Sequence, residues 1–319
     1  MQKLYEGGPC YERIKCPACG REEKGSLSEM LEINNIYNMD CLEGMKLIDD
    51  RSIDMILCDL PYGTTACKWD TVIPFEPLWE QYKRVIKPHG AIVLTATQPF
   101  SSALVFSNIK GFKHEWIWQK EQGVGFQVAK YRPMQEHEHV LVFTANGERV
   151  NYYPIKERLE KTETVKRFGN NGSSDSSPLA YADNRISVYK DRYPTSIKLF
   201  KRDKGYHPTQ KPVPLFEYLI RTYTNEGETV LDNCIGSGTT AIACINTNRN
   251  FIGFELDKHY CEIANERIRK TLAEKEAKEV GTFRRIGEDE PTAEVFREKE
   301  PEEKIKLAEY LDKLRELEK

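Results

Sequence analysis

Short runs of mostly apolar residues end in a carboxylate at three places along the chain. The runs and their carboxylates are, in chain order, 53–58 with Asp59, 230–231 with Asp232, and 251–254 with Glu255. Runs of this length predict buried strands of a parallel sheet, so the three carboxylates are expected at its carboxyl edge. Open α/β sheets bind their ligands at that edge. The pattern therefore predicts one crevice shared by a cofactor and a substrate.

A turn that contains glycine follows the second of these strands. Gly236 and Gly238 allow positive φ and a close approach of the backbone to a ligand, and Thr239 begins a helical pattern. A phosphate-binding GxxxxGK[ST] loop is the rival interpretation, and the absence of its lysine argues against it. Glu255 follows the glycines by about 20 residues, where dinucleotide-type folds bind ribose hydroxyls. The pattern favours a nucleoside ligand, with plain packing of helix on strand as the alternative.

Two motifs and their order carry a resemblance to a known family. Asp59-Leu60-Pro61-Tyr62 resembles the catalytic (D/N/S)PP(Y/F) motif of the amino-group DNA methyltransferases, and residues 232–240 resemble their cofactor motif DPFxGSGTT. The catalytic motif precedes the cofactor motif, as in the permuted β class, and the similarity spans residues 34–271. The resemblance implies a doubly wound, Rossmann-like α/β fold, chain-permuted, with a mostly parallel seven-stranded sheet. It also implies S-adenosylmethionine as the cofactor.

The catalytic segment has a physical logic of its own. The exocyclic amine of a base is a poor nucleophile, because its lone pair is delocalised into the ring. Hydrogen bonds to the Asp59 carboxylate and the Leu60 carbonyl would favour the tetrahedral nitrogen of the attacking state. Pro61 fixes where that carbonyl points, and Tyr62 offers a ring for a flipped base to stack on. Leu60 stands where the family has a proline, but the acceptor is a backbone carbonyl that any residue supplies.

The resemblance also sets the expected reaction. An Asp at the first position of the motif goes mostly with the N6 amine of adenine in this family, which predicts a site-specific adenine-N6 DNA methyltransferase. The alternatives are an N4-cytosine methyltransferase, a methyltransferase acting on RNA or protein, and a non-catalytic DNA-binding protein on the same scaffold. Net charge of −3 and pI near 6.2 do not indicate a nucleic-acid binder, so any basic surface must be local.

The resemblance further assigns the cofactor-binding residues. They are Asp232, Gly236, Gly238, Thr239, Glu255, Asp40 and Lys211. The Asp40 carboxylate is expected near the adenine of the cofactor, and a helix cap is its alternative role. Lys211 is expected at the methionyl end of the cofactor, with plain solvent exposure as the alternative.

Five segments are predicted along the chain. An N-terminal extension with a cysteine knuckle (1–30) precedes the catalytic half (31–144), a target-recognition region (145–206), the cofactor-binding half (207–271), and a charged linker with a C-terminal helix (272–319). The region 145–206 contains 13 Lys and Arg residues against 8 acidic ones, with tyrosines interleaved. This composition predicts that double-stranded DNA binds there.

Cysteine usage and the termini complete the prediction. Cys16 and Cys19 form a knuckle typical of zinc ribbons and Cys10 adds a third thiol, but no fourth ligand is evident, so zinc binding and plain thiols both stay open. No metal is expected in the reaction. No apolar run reaches a membrane-spanning length, which predicts a soluble, intracellular protein. The resemblance implies a cytoplasmic enzyme encoded by a prokaryotic cell or a phage. Apolar positions from Ile305 to Leu317 recur at helical spacing and predict a helix that packs on its own domain or forms a homodimer.

Overall fold

The computed structural model describes residues 14–15, 22–23, 31–63, 70–167, 185–203, 205 and 210–286. The strands are β1 (Ile14–Lys15), β2 (Glu22–Glu23), β3 (Asn35–Asn38), β4 (Ile53–Asp59), β5 (Ile86–Ala96), β6 (Phe112–Val124), β7 (Gln135–Phe143), β8 (Glu157–Arg167), β9 (Arg185–Arg192), β10 (Ile197–Leu199), β11 (Thr229–Asp232) and β12 (Asn250–Glu255). The helices are α1 (Cys41–Met45), α2 (Phe75–Val85), α3 (Phe100–Ser107), α4 (Val213–Tyr223), α5 (Thr239–Asn246) and α6 (Lys258–Ile286), and a 3-10 turn covers Phe126–Val128.

The central sheet has the strand order β10-β6-β7-β5-β4-β11-β12-β3. All neighbouring pairs are parallel except those made by β7, which is antiparallel to both β5 and β6. The predicted α/β class and mostly parallel sheet are confirmed, but the sheet has eight strands, not seven. The additional strand is β10, which pairs Ile197–Leu199 with β6 at the edge. Its apolar pattern is too short to predict a strand, and it lies within the segment predicted to recognise DNA.

The two faces of the sheet bury separate apolar clusters. Along β4, Met55 and Leu57 are buried against α4, α5 and the start of α6, whereas Ile56 and Cys58 are buried against α1, α2 and α3. Successive side chains of a strand point to opposite faces, so a strand buried on both faces is apolar throughout. Each fully buried aliphatic side chain contributes about 1.5–3 kcal/mol. The result is a three-layer, doubly wound fold.

The strands that precede the predicted site residues all end at the same edge of the sheet. The adjacent strands β4, β11, β12 and β3 are all parallel, so the residues that follow them in the chain emerge together. Strand β4, which ends in the predicted catalytic motif, precedes strand β11, which ends in the predicted cofactor motif. The two lie side by side in the sheet, with Met55 paired to Val230. This is the predicted permuted order.

The remaining elements lie outside the central sheet. Strands β8 and β9 form an antiparallel ribbon in the predicted target-recognition region, and β1 and β2 form a second ribbon near the N-terminus. The chain divides into two compact units, Met1–Ala273 and Glu274–Lys319. The sequence places a linker from residue 272 onward, and this is wrong for residues 272–286, which continue α6 because they are rich in Ala, Glu and Lys, good helix formers. Cys10, Cys16, Cys19 and the predicted helix near residues 305–317 lie outside the described residues.

Candidate active site

Four carboxylates occupy the carboxyl edge of four adjacent parallel strands. Asp59, Asp232 and Glu255 are the last residues of β4, β11 and β12, and Asp40 follows β3. They line one cavity of about 1070 Å³. The other predicted site residues that line it are Leu60, Pro61, Tyr62, Lys211, Gly236 and Thr239. Of the predicted site residues, Gly238 alone is not part of the lining.

Three side chains hold the Asp59 carboxylate. The Tyr62 hydroxyl donates to Asp59 Oδ1 at 2.7 Å, and the Thr95 hydroxyl donates to the same oxygen. Lys211 Nζ donates to Asp59 Oδ2 at 2.6 Å. A carboxylate offers about four acceptor sites, so one stays open among the described contacts, on Oδ2. The orientation of Asp59 is therefore fixed, and it retains capacity to accept one more donor from the cavity.

Two further residues of the predicted catalytic tetrapeptide, Leu60 and Tyr62, pack into the core. The side chain of Leu60 is buried among the apolar residues on the α1–α3 face of the sheet. The Tyr62 ring packs on Phe100 with centroids 5.2 Å apart, and burial together with the Asp59 charge raises the pKa of its phenol well above the usual value. Tyr62 therefore stays a hydrogen-bond donor at neutral pH.

Lys211 belongs to a buried row of alternating charges. Its Nζ lies 2.6 Å from Asp59 Oδ2 and 3.4 Å from Glu138 Oε2, and Lys120 Nζ lies 2.6 Å from Glu138 Oε1. Burial lowers the pKa of Lys211, but Asp59 and Glu138 raise it further, so the net shift is upward. Burial raises the pKa of Glu138, but the two lysines outweigh it and lower the pKa overall. The pKa shifts of Lys211 and Glu138 therefore both favour the charged form of the side chain at neutral pH.

The predicted alternative of solvent exposure for Lys211 is wrong, because only 6% of the residue is exposed. Its predicted contact with the cofactor stays a prediction, and its observed partner is Asp59. The sequence prediction gave no role to Thr95, Lys120 or Glu138. Lys120 and Glu138 each lie next to a short apolar stretch of a strand, but both strands contain other charged residues, so the sequence pattern does not single them out.

The turn after β11 is shaped by backbone geometry. Gly236 has φ +54° and Gly238 has φ +87°, both in the left-handed region that favours glycine. A Cβ atom on Gly238 would lie 3.0 Å from Ala264 Cβ, so this turn also packs closely on α6. The Gly236 amide donates to Glu255 Oε2 at 2.9 Å. The turn and the neighbouring strand end therefore form one unit of the cavity wall.

Asp232 accepts hydrogen bonds from this turn and from the first turn of α5. Its Oδ1 accepts the Cys234 amide at 3.0 Å, and its Oδ2 accepts the Thr240 hydroxyl. Burial raises the pKa of Asp232 to about 7, even though these hydrogen bonds lower it. The carboxylate thus fixes the start of α5 and carries a variable charge near neutral pH.

Asp40 has the helix-capping role that was one of its two predicted roles. Its Oδ1 accepts the Leu42 amide at 2.9 Å and the Glu43 amide at 3.2 Å, at the N-terminus of α1. The residue also lines the cavity, so capping leaves room for the second role. Contact with a cofactor stays a prediction.

The family model described as DNA methylase (N6_N4_Mtase) matches residues 53–266. The chain belongs to the DNA methylase family. Relatives include the type II methyltransferase M.HpaI of Haemophilus parainfluenzae, 29% identical over 244 residues and covering 72% of both proteins. Another is the type II methyltransferase M1.MboII of Moraxella bovis, 28% identical over 254 residues, which cover 74% of this chain and 96% of the relative. The predicted membership of the amino-group DNA methyltransferases is confirmed.

Two solved structures are similar to this chain. The cytosine-N4-specific PvuII DNA methyltransferase has a TM-score of 0.50 at 15% identity, covering 74% of this chain and 90% of that one. The M1.HpyAVI–SAM complex has a TM-score of 0.49 at 25% identity and covers 73% of this methylase and 98% of that chain.

Two further properties of this methylase concern the described residues only. No group of three or more His, Cys, Asp or Glu side chains is placed there to hold a metal ion. None of the helices in this part of the chain combines the length and apolar character needed to cross a membrane.

Proposed function

We propose that this DNA methylase transfers a methyl group from S-adenosylmethionine to the N6 amine of adenine at specific sites in double-stranded DNA. The observation that carries the proposal is the position of the Asp59 carboxylate, which Tyr62, Thr95 and Lys211 hold by hydrogen bonds. Asp59 lines the same cavity as the glycine-containing turn after β11. Its similarity to type II methyltransferases supports a place in a restriction–modification system.

The cavity fits the proposed cofactor in size and in chemistry. Its volume of about 1070 Å³ exceeds what one nucleoside-sized ligand needs, which leaves room for a target base. Glu255 and Asp40 would bind the ribose and adenine, and Gly236 lets the backbone approach closely. S-adenosylmethionine supplies an activated methyl group on a sulfonium centre. The eight acidic and three basic residues of the lining suit a cofactor that carries a positive charge at that centre.

The chemical role of Asp59 follows from its hydrogen bonds. The open acceptor site on Oδ2 would receive an N–H of the target amine, and the Leu60 carbonyl would receive the other. These bonds favour a tetrahedral nitrogen whose lone pair points at the methyl donor. The methylated nitrogen carries a positive charge and loses a proton to Asp59 or to water. The Tyr62 ring lines the cavity where the flipped base would stack, and flipping costs a few kcal/mol.

The choice of base rests on the first residue of the tetrapeptide. Asp at this position goes mostly with adenine in the amino-group family that the motif resembles. The choice of DNA rests on family membership and on the basic composition of residues 145–206. Within that region, Arg158 and Tyr193 are exposed and stand on or beside the β8–β9 ribbon.

The test is methyl transfer from labelled S-adenosylmethionine to mixed-sequence duplex DNA, followed by nucleoside analysis. We expect N6-methyladenine from the wild type and none from Asp59→Ala. Asp54→Ala is the matched control, because Asp54 lies on the same strand and binds Lys87 Nζ at 2.7 Å and the Thr229 amide at 3.0 Å, away from the cavity. N4-methylcytosine would keep the mechanism and refute the base. Cofactor binding without transfer to any DNA would refute the activity.

A further inference from the structure

The loop between β6 and β7 carries two exposed aromatic rings. Phe126 is 79% exposed and Tyr131 is 88% exposed. Single exposed apolar side chains are common on protein surfaces, but large rings concentrated on one short loop often mark an interaction site. The reaction proposed above gives these rings no role.

The charge of this loop is one-sided. Residues 122–135 include Lys130 and Arg132 and no Asp or Glu, in a chain whose net charge is −3. Both cations are exposed, and neither forms an ion pair with any residue that the structure describes. The loop also carries the amide side chain of Gln127. Exposed rings, cations and amides without carboxylates match the chemistry that binds nucleic acid.

The loop lies at the active-site edge of the sheet. Strand β6 is antiparallel to β7, and β7 is antiparallel to β5, so β6 ends at the same edge as the catalytic strand β4. Val124, the last residue of β6, lines the cavity, as do Trp118 and Lys120 of the same strand. The exposed rings therefore follow directly from the cavity wall, beside the place where a base would enter.

The loop is already folded by its own backbone hydrogen bonds. The Val128 amide donates to the Gly125 carbonyl at 3.0 Å, and the Tyr131 and Arg132 amides donate to the Val128 carbonyl at 2.9 and 3.1 Å. Gly125 has φ +92°, which lets the chain turn sharply out of β6. A preformed loop loses less conformational entropy on binding than a flexible one.

We propose that residues 125–134 contact duplex DNA next to the target base. Lys130 and Arg132 bind phosphates, and Phe126 or Tyr131 stacks on the bases exposed when the target nucleotide leaves the helix. This inference rests on the proposed function, since it requires a base to enter the cavity from DNA. It adds a second DNA contact, on the catalytic half, to the one predicted for residues 145–206.

The test measures binding of a short fluorescein-labelled duplex that contains a sequence methylated by the wild type. Phe126→Ala, Tyr131→Ala and the pair Lys130→Ala with Arg132→Ala are compared with Phe106→Ala. Phe106 is a matched control because it is 80% exposed but lies near the end of α3, which leads into the start of β6 at the opposite edge of the sheet. Melting temperature and cofactor affinity are measured for every variant.

We expect at least one ring variant to lose about tenfold or more in DNA affinity, since stacking on one base is worth about 1–3 kcal/mol. The variant without both cations should show a slope of log affinity against log salt that is smaller by about 1.8, because each of the two lost phosphate contacts contributes about 0.9. Melting temperature, cofactor affinity and the control should not change.

Two results would overturn the inference. The first is DNA binding by all loop variants equal to that of Phe106→Ala, with an unchanged salt slope. The second is a difference in elution volume on gel filtration between the loop variants and the wild type. It would mean that the loop contacts a second copy of the chain. Failure of the proposed function is distinguishable, because the wild type itself would then transfer no methyl group to DNA.

Discussion

Replacement of Lys211 by methionine tests the buried charges around Asp59. The substitution keeps most of the aliphatic stem and removes the ammonium that lies 2.6 Å from Asp59 Oδ2 and 3.4 Å from Glu138 Oε2. Asp59 then loses its cation, and Glu138 keeps only Lys120. Two carboxylates that shared a positive charge are left to repel each other in a site that water reaches poorly.

The distances set the size of the effect. At an effective dielectric constant of about 20, charges at these separations attract by roughly 5–6 kcal/mol each. Burying the lysine costs several kcal/mol in return, and measured losses on removing one partner of a buried pair are about 3–5 kcal/mol. Because Asp59 borders the cavity and its side chain is 24% exposed, we expect the lower end, about 3 kcal/mol.

The loss should depend on pH in a defined direction. The pKa of Lys211 is raised, so its contribution is complete at any pH below the ordinary lysine value of 10.5. The pKa of Glu138 is lowered, so its contribution is present above its ordinary value of 4.5 and disappears as the pH falls through its folded value. The stability difference between wild type and Lys211→Met should therefore be largest near neutral pH and shrink in acid.

Urea unfolding at several pH values measures this difference, and single-turnover methyl transfer measures the consequence for Asp59. Lys120→Met is the control, because Lys120 pairs with Glu138 but not with Asp59. We expect both variants to lose stability and Lys211→Met to lose far more of its methyl-transfer rate. Equal rate losses would refute the role of Lys211 in holding Asp59. Lost cofactor binding with a normal transfer rate at saturation would instead favour the predicted contact with the methionyl end.

Three more substitutions follow from the geometry. Burial raises the pKa of Asp232 from 3.8 to about 7, so wild-type stability should fall by up to about 4 kcal/mol as pH rises between these values. Asp232→Asn should remove this pH dependence in urea unfolding without cofactor, but it also loses the acceptor of the Thr240 hydroxyl. Gly238→Ala forces an alanine to φ +87° against Ala264 and should cost about 1–3 kcal/mol and weaken cofactor binding measured by calorimetry. Leu60→Ala should cost about 2–4 kcal/mol in thermal unfolding but retain most of the transfer rate per folded molecule, because the acceptor is the backbone carbonyl.

The sequence was sufficient for those parts of the site that depend on local pattern. Asp59, Asp232 and Glu255 each end an apolar run, so strand, direction and edge follow from a few neighbouring residues. The sequence does not assign a role to Glu138 or Lys120. The ion pairs of Glu138 with Lys120 and Lys211 form only because β6 and β7 pair in the sheet and because residue 211, far away in the sequence, packs beside them. Pro88 and Gly90 are residues typical of a turn, but they belong to β5, where the pairing with β4 is irregular.

The distribution of charge unites the site with the proposed DNA surface. Eight acidic and three basic residues line the cavity, whereas the loop after β6 and the region 145–206 are basic. An acidic cavity attracts a cationic methyl donor and would repel a phosphate backbone, so DNA is expected to bind by its backbone outside and to present only an uncharged base within. Lys211 lowers the negative charge where that base would bind, while Asp59 remains an acceptor. Under the proposed function, this distribution of charge favours entry of a flipped base over entry of the DNA backbone.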